Sequence, residues 1–208
     1  TAIFEDGVYT INRPIQFAYQ GEEGAPITIK AKNKHQAKLV FTGLNTTGKI
    51  LLNDKRHIVI QDFEITQEVS GTSSSDVFIL INNCSHCVIS GNSIHGAGGK
   101  AVQALYGERI EVVGNALYDF LNIAVVLANI DRPVIAGNDI RDSATGILVP
   151  AGTRSAQIYN NIIRAVNAQV TNGIILGGSY PASVAYDPNG YESYHAAAWN
   201  NAIVAETP

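Results

Sequence analysis

The chain has 208 residues, 46% hydrophobic and 15% charged, enough for one domain with a continuous core and too apolar for a disordered segment or a coiled coil. Its net charge of -4 argues against a partner held by overall basic charge, so no nucleic acid is expected. No apolar run approaches the ~18 residues of a membrane span, and a chain that starts at Thr1 without any methionine reads as a mature or trimmed product, which permits secretion.

From residue 50 onward the chain repeats itself. Ungapped copies occupy residues 57–65, 86–94, 109–117, 132–140 and 155–163, so the spacing is 29 once and 23 thereafter. A partial copy follows at 199–203. Each copy reads as two short strands with a turn between them, as in Val134-Ile135 and Asp139-Ile140. Asn92, Asn115, Asn138, Asn161 and Asn201 fall at that turn. Asparagine suits it, because it tolerates left-handed backbone and bonds neighbouring main chain. Stacked once per coil, these side chains should form a ladder that satisfies buried turn groups. Phe63 takes the place of Asn in the first copy, so the ladder should begin at the second.

A third strand completes each coil, at 50–52, 78–80, 101–103, 124–126, 147–149 and 174–176. Three short strands per repeat with no helical period between them exclude a doubly wound sheet, and the pattern of a leucine-rich repeat is absent. The expectation is all-β: one solenoid over 1–208 with six to seven coils of three short strands, interrupted by a repeat-breaking loop at 177–195.

Cys84 and Cys87 form a lone CxxC between two strand-like runs. Structural thiols or a local disulfide are the first expectation. A redox motif should open a helix, and zinc needs about four ligands. Asn45 and Asn83 fit glycosylation sequons.

The repeated Val-x-Ile-x-Gly-Asn-x-Ile pattern resembles the right-handed parallel β-helix repeat of the pectate-lyase-like superfamily. The front end, residues 6–17 and 24–31, resembles the opening of many polysaccharide lyases. The resemblance implies a right-handed β-helix, a polysaccharide partner and an extracellular or cell-surface location. It also implies that the sugar lies along the third-strand face and the loops entering it, here 66–76, 95–100, 118–122, 141–145 and 164–172. Signature motifs of polygalacturonases, pectate lyases and alginate epimerases are absent, and fold alone does not carry function.

Abstraction of the proton beside a uronate carboxylate needs a base and a means of neutralising that carboxylate. His95, Lys100 and Arg141 are the candidate catalytic residues. Tyr118 and Arg164 share a column with His95, Arg141 and Thr66. The next column holds Asp119 and Asp142, a candidate Ca²⁺ pair. The loop at 177–195 carries Tyr180, Tyr186, Tyr191 and Tyr194, rings able to stack on sugar or to pack as a partial cap. The plainer reading is that these are solvated residues placed by the repeat, with Arg–Asp pairs stabilising adjacent turns. After Ile203 the coil looks ready for another, so a neighbouring domain or a like chain is expected at that end. Three functional readings stay open: a lyase-like enzyme on acidic glycans, a non-catalytic carbohydrate-binding or surface module, and a self-assembling structural β-helix.

Overall fold

A computed structural model describes residues 1–43, 47–68, 75–96, 99–150, 152–165, 172–177 and 195–205. It is an all-β parallel solenoid of about six turns, and the described residues contain no helix. Every strand-to-strand pairing in it is parallel.

Two sheets make up the walls. The first strands of the coils stack into one eight-stranded sheet that includes Val88–Ser90, Glu111–Val113, Val134–Ala136, Gln157–Tyr159 and Ala197–Trp199. Second and third strands share the other sheet, because Ala116–Asp131 and Asp139–Val149 each run through both positions without a break. The segments 118–122 and 141–145, expected as loops, are therefore strand. The chain turns within them at Asp119 and Asp142, whose φ angles of 62° and 50° are left-handed, a region that Asp and Asn enter more readily than other side chains.

Alternation fills the interior. Ile89, Val112, Ile135 and Ile158 point inward from successive first strands, and Ile94, Leu117, Ile140 and Ile163 from the second. Each fully buried Ile or Leu contributes about 1.5–3 kcal/mol, and identical positions recur in every coil, so the core is one continuous column.

The asparagine ladder forms as the spacing predicts. Asn92, Asn115, Asn138 and Asn161 are buried, and each donates both its main-chain N–H and its side-chain amide to the next Oδ1. The second amide proton reaches a carbonyl of the preceding coil: Ile60, Ile89, Val112 or Ile135. Phe63 opens the ladder by donating its N–H to Asn92 Oδ1 at 3.0 Å. One detail differs from expectation. The left-handed residue at this turn is the one before the ladder asparagine: Asp62, Gly91, Gly114, Gly137, Asn160 and Asn200. The ladder residue has negative φ and is selected for its amide alone.

Cys84 and Cys87 are buried free thiols. Cys84 Sγ donates to Leu52 O at 3.2 Å, and Cys87 Sγ to Ser85 O at 3.4 Å. The hydrogen bond with Cys84, followed by burial, pushes the Cys87 thiol well above its ordinary value, so it is not a nucleophile at neutral pH. Gly107 stacks directly on this turn at φ 138°, where any Cβ would collide with the Cys84 carbonyl.

Candidate functional site

Parallel pairing puts side chains one coil apart into rows. His95, Tyr118, Arg141 and Arg164 are in register on adjacent second strands and lie on the outer side of the sheet, partly exposed. The His95 and Tyr118 rings stack at 4.6 Å with a 7° tilt, and the Arg141 guanidinium lies 5.6 Å from the Tyr118 ring centre. Both faces of Tyr118 are thus engaged. What it offers a ligand is its edge and hydroxyl.

Two carboxylates flank the row: Asp139, two residues before Arg141, and Glu64, on the strand that pairs with that of His95. Asp139 receives Arg141 at 3.1 Å and Arg164 at 2.9 Å through one oxygen, while its other oxygen takes Arg164 Nε at 3.3 Å. Glu64 receives Lys38 at 2.8 Å and His95 at 2.9 Å. Burial opposes ionisation of Glu64, yet the hydrogen bonds from Lys38 and His95 prevail and hold its carboxyl below the usual value. The row of two rings and two guanidinium groups is thus tied to carboxylates in the column beside it. Three fixed cations, two carboxylates and one imidazole leave a small positive excess.

Lys100 lies apart from that row, past the corner at Gly96, and is only 6% exposed. Its stacking neighbours are Val77 and Ile123. It shares the field of buried Asp76 with Lys49, which is 1% exposed. Burial lowers both lysine pKa values, and Asp76 opposes that effect for each. Among the described residues Lys49 Nζ has no hydrogen-bond partner, and it rests 5.0 Å from the centre of the Phe78 ring. Sequence reasoning missed Lys49 and Asp76, because both fall outside the nine-residue copies that define the repeat.

The remaining candidates divide simply. Asp119 is exposed and Asp142 buried, although they occupy adjacent corners. Among the described residues no three His, Cys, Asp or Glu side chains converge. Tyr180, Tyr186, Tyr191 and Tyr194 lie outside the described residues. On the third-strand face, where a groove was expected, the outward positions are Leu51, Leu80, Gln103, Val126, Leu148 and Ile175. That face is mostly apolar, and the charged groups border it from the second-strand stretch.

With this geometry in hand, the chain can be set beside known proteins. The family described as a right-handed β-helix region matches residues 43–189. The chain belongs to that family. Among solved structures it is similar to the catalytic domain of a GH87 α-1,3-glucanase in complex with tetrasaccharides, with a TM-score of 0.60, 13% identity and 98% of this chain covered. The same glucanase domain in complex with nigerose gives 0.57 at 13% identity over the same share. A PL6 alginate lyase matches at a TM-score of 0.31 and 10% identity, over 83% of this chain and 37% of its own. The likeness to the glucanase domain shows the fold alone. The chain spans 40% of the length of the glucanase domain.

Proposed function

We propose that this β-helix acts on polysaccharide outside the cell or at its surface, and that its substrate is an acidic, uronate-containing glycan processed by lyase-like proton abstraction. The observation that carries the reading is the register of His95, Tyr118, Arg141 and Arg164 along the solenoid axis. Coils repeat every ~4.8 Å, so a straight row of donors can follow a polymer sugar by sugar. Guanidinium groups receive carboxylates bidentately, and the glucanase likeness supplies a β-helix of similar architecture that binds sugar. Burial lowers the pKa of Lys100 against the field of Asp76, the direction that makes a lysine a better general base.

A second reading, a non-catalytic carbohydrate-binding module, is favoured by two observations. Arg141 and Arg164 already share Asp139, and Lys100 has little contact with solvent. One experiment separates the readings. Uronate polymers are incubated with the protein and unsaturated products are followed by their ultraviolet absorbance. The lyase reading expects turnover that Lys100→Met lowers by about 10²–10⁴-fold, whereas binding without any product leaves the module.

The charge-reading role of the row has its own test. Arg141→Gln should weaken binding of an acidic oligosaccharide about tenfold, the loss of one charge-assisted hydrogen bond. Neutral oligosaccharide should lose less than about twofold, and added salt should shrink the difference. Equal losses for both ligands reject the role.

A further inference from the structure

A second row of cations stands at another corner, where each third strand gives way to the next first strand. Just ahead of the first strands, and in register with one another, lie His57, His86, Arg109, Arg132, Ser155 and His195. All six have left-handed backbone, with φ between 49° and 54°. The left-handed column beside the asparagine ladder holds only Asp, Gly and Asn. Three residues earlier in the present corner, Asp54, Asn83, Tyr106, Asn129 and Gly152 follow the same rule at four positions of five. Histidine enters this region more readily than most side chains, but arginine has no short polar group to bond its own backbone there. Nor does the turn need these side chains. The N–H groups of His57, His86, Arg109 and Arg132 already donate to carbonyls of the next coil at 2.7–3.1 Å. A backbone cost that the fold does not require points to what the side chains do outside it.

The His57 and His86 rings stack at 4.8 Å with an 18° tilt, the spacing of one coil. Arg109 and Arg132 are exposed. Arg132 donates to Glu108 at 3.2 Å and to Asp131 at 2.9 Å, surface pairs of the kind that are worth little. Arg109 forms no ion pair among the described residues. Arg56 and Arg154, both exposed, stand at the two ends of the adjoining column, in bridges with Ser85 and Asp131. Lys55 and Asp54 offset each other. The corner thus gathers four arginines and two histidines against Glu108 and Asp131, in a chain whose net charge is -4. We propose that it is a second binding ridge, one that takes the carboxylates of an acidic glycan lying along the solenoid axis. The class of ligand rests on the glycan reading above, but the place is different. A third strand such as Lys100–Glu108 starts past the second-strand row and ends at this corner, so the two rows flank the third-strand face from opposite sides. A polymer that carries a carboxylate on each sugar meets one cation per coil. Arg109 is the strongest contact, because no carboxylate has to be displaced from it before a bidentate pair forms. A neutral glycan would meet the same side chains without an ion pair.

Arg109→Asn is the deciding variant, because asparagine suits the left-handed backbone better than arginine does. Its urea midpoint should equal or exceed that of the 208-residue wild type. Titration calorimetry with a short oligouronate should show two sites per wild-type chain. Arg109→Asn should weaken one of them about tenfold, the loss of one charge-assisted hydrogen bond, and Arg109→Lys should recover part of that affinity. A neutral gluco-oligosaccharide should not distinguish these variants. Arg141→Gln should weaken the other site, so the two rows can fail independently. If Arg141→Gln changes nothing while Arg109→Asn still does, the reading of the second-strand row falls and the ridge stands. Unchanged oligouronate affinity in Arg109→Asn overturns the ridge. So does an equal loss for the neutral sugar, and so does a lower urea midpoint, since that assigns Arg109 to the stability of the turn.

Discussion

Replacing Asn138 with leucine should destabilise the protein by about 3–5 kcal/mol, more than an ordinary surface or turn substitution. Leucine nearly matches asparagine in shape, so little of this comes from packing. Asn138 Oδ1 accepts the N–H and side-chain amide of Asn115 at 3.0 and 3.1 Å. Its Nδ2 donates to Val112 O at 2.8 Å and to Asn161 Oδ1 at 2.9 Å. Leucine would remove all four bonds, strand the Asn115 N–H inside the solenoid at about 1–3 kcal/mol, and take one donor each from the Val112 carbonyl and Asn161 Oδ1. Polarisation along the chain of amides adds to the loss. The control is Asn201→Leu at the end of the same ladder, where the site is only partly buried and water can replace the amide. Urea unfolding should give clearly different costs for the two variants. Equal costs would show that burial is not what makes the ladder matter.

The ladder was legible because its signal is periodic. An asparagine every 23 residues in an apolar frame has few physical uses other than capping a stacked turn. The outer row was legible for the same reason: once the copies are aligned, His95, Tyr118, Arg141 and Arg164 fall in one column whatever the details of the coil. Corners were harder to read. Asp119 and Asp142 looked like loop residues because polar side chains interrupt the apolar pattern there, yet a single left-handed residue turns a strand without ending it. The charges fall where the aligned copies put them, after each second-strand apolar position, but on strand rather than loop. Register fixes which residues are neighbours between coils, while corner conformation decides which wall they belong to.

Lys49 gave no signal of its own. It directly precedes the apolar run Ile50-Leu51-Leu52, and a long aliphatic stem ending in an ammonium can be accommodated either inside or outside such a strand. Only the stacking of successive coils brings it against Phe78 and into the field of Asp76.

That placement leads to an expectation opposite in sign to the first: Lys49→Met should stabilise the protein at neutral pH by about 1–3 kcal/mol. Methionine keeps most of the stem and its contact with the Phe78 ring. It removes an ammonium that is 1% exposed and has no hydrogen-bond partner among the described residues. A buried charge with incomplete compensation is worth less than an apolar group of similar volume. Asp76 is not abandoned by the change, since Lys100 remains in its field. The pH dependence has a definite sign. Burial lowers the Lys49 pKa from 10.5 in the folded protein, so between the folded value and 10.5 the unfolded chain holds the more protons. Wild-type stability therefore rises with pH across that window. The gain from Lys49→Met is fully present below the folded pKa and shrinks as pH rises toward 10.5, where the wild-type lysine is already neutral in the native state. Lys100, shifted in the same direction by the same cause, keeps its own share of the slope in the variant. Chemical denaturation of both proteins from pH 6 to pH 10.5 reads the effect. A variant that is less stable at neutral pH, or a difference that does not change with pH, would mean that the Lys49 ammonium is well compensated in solution.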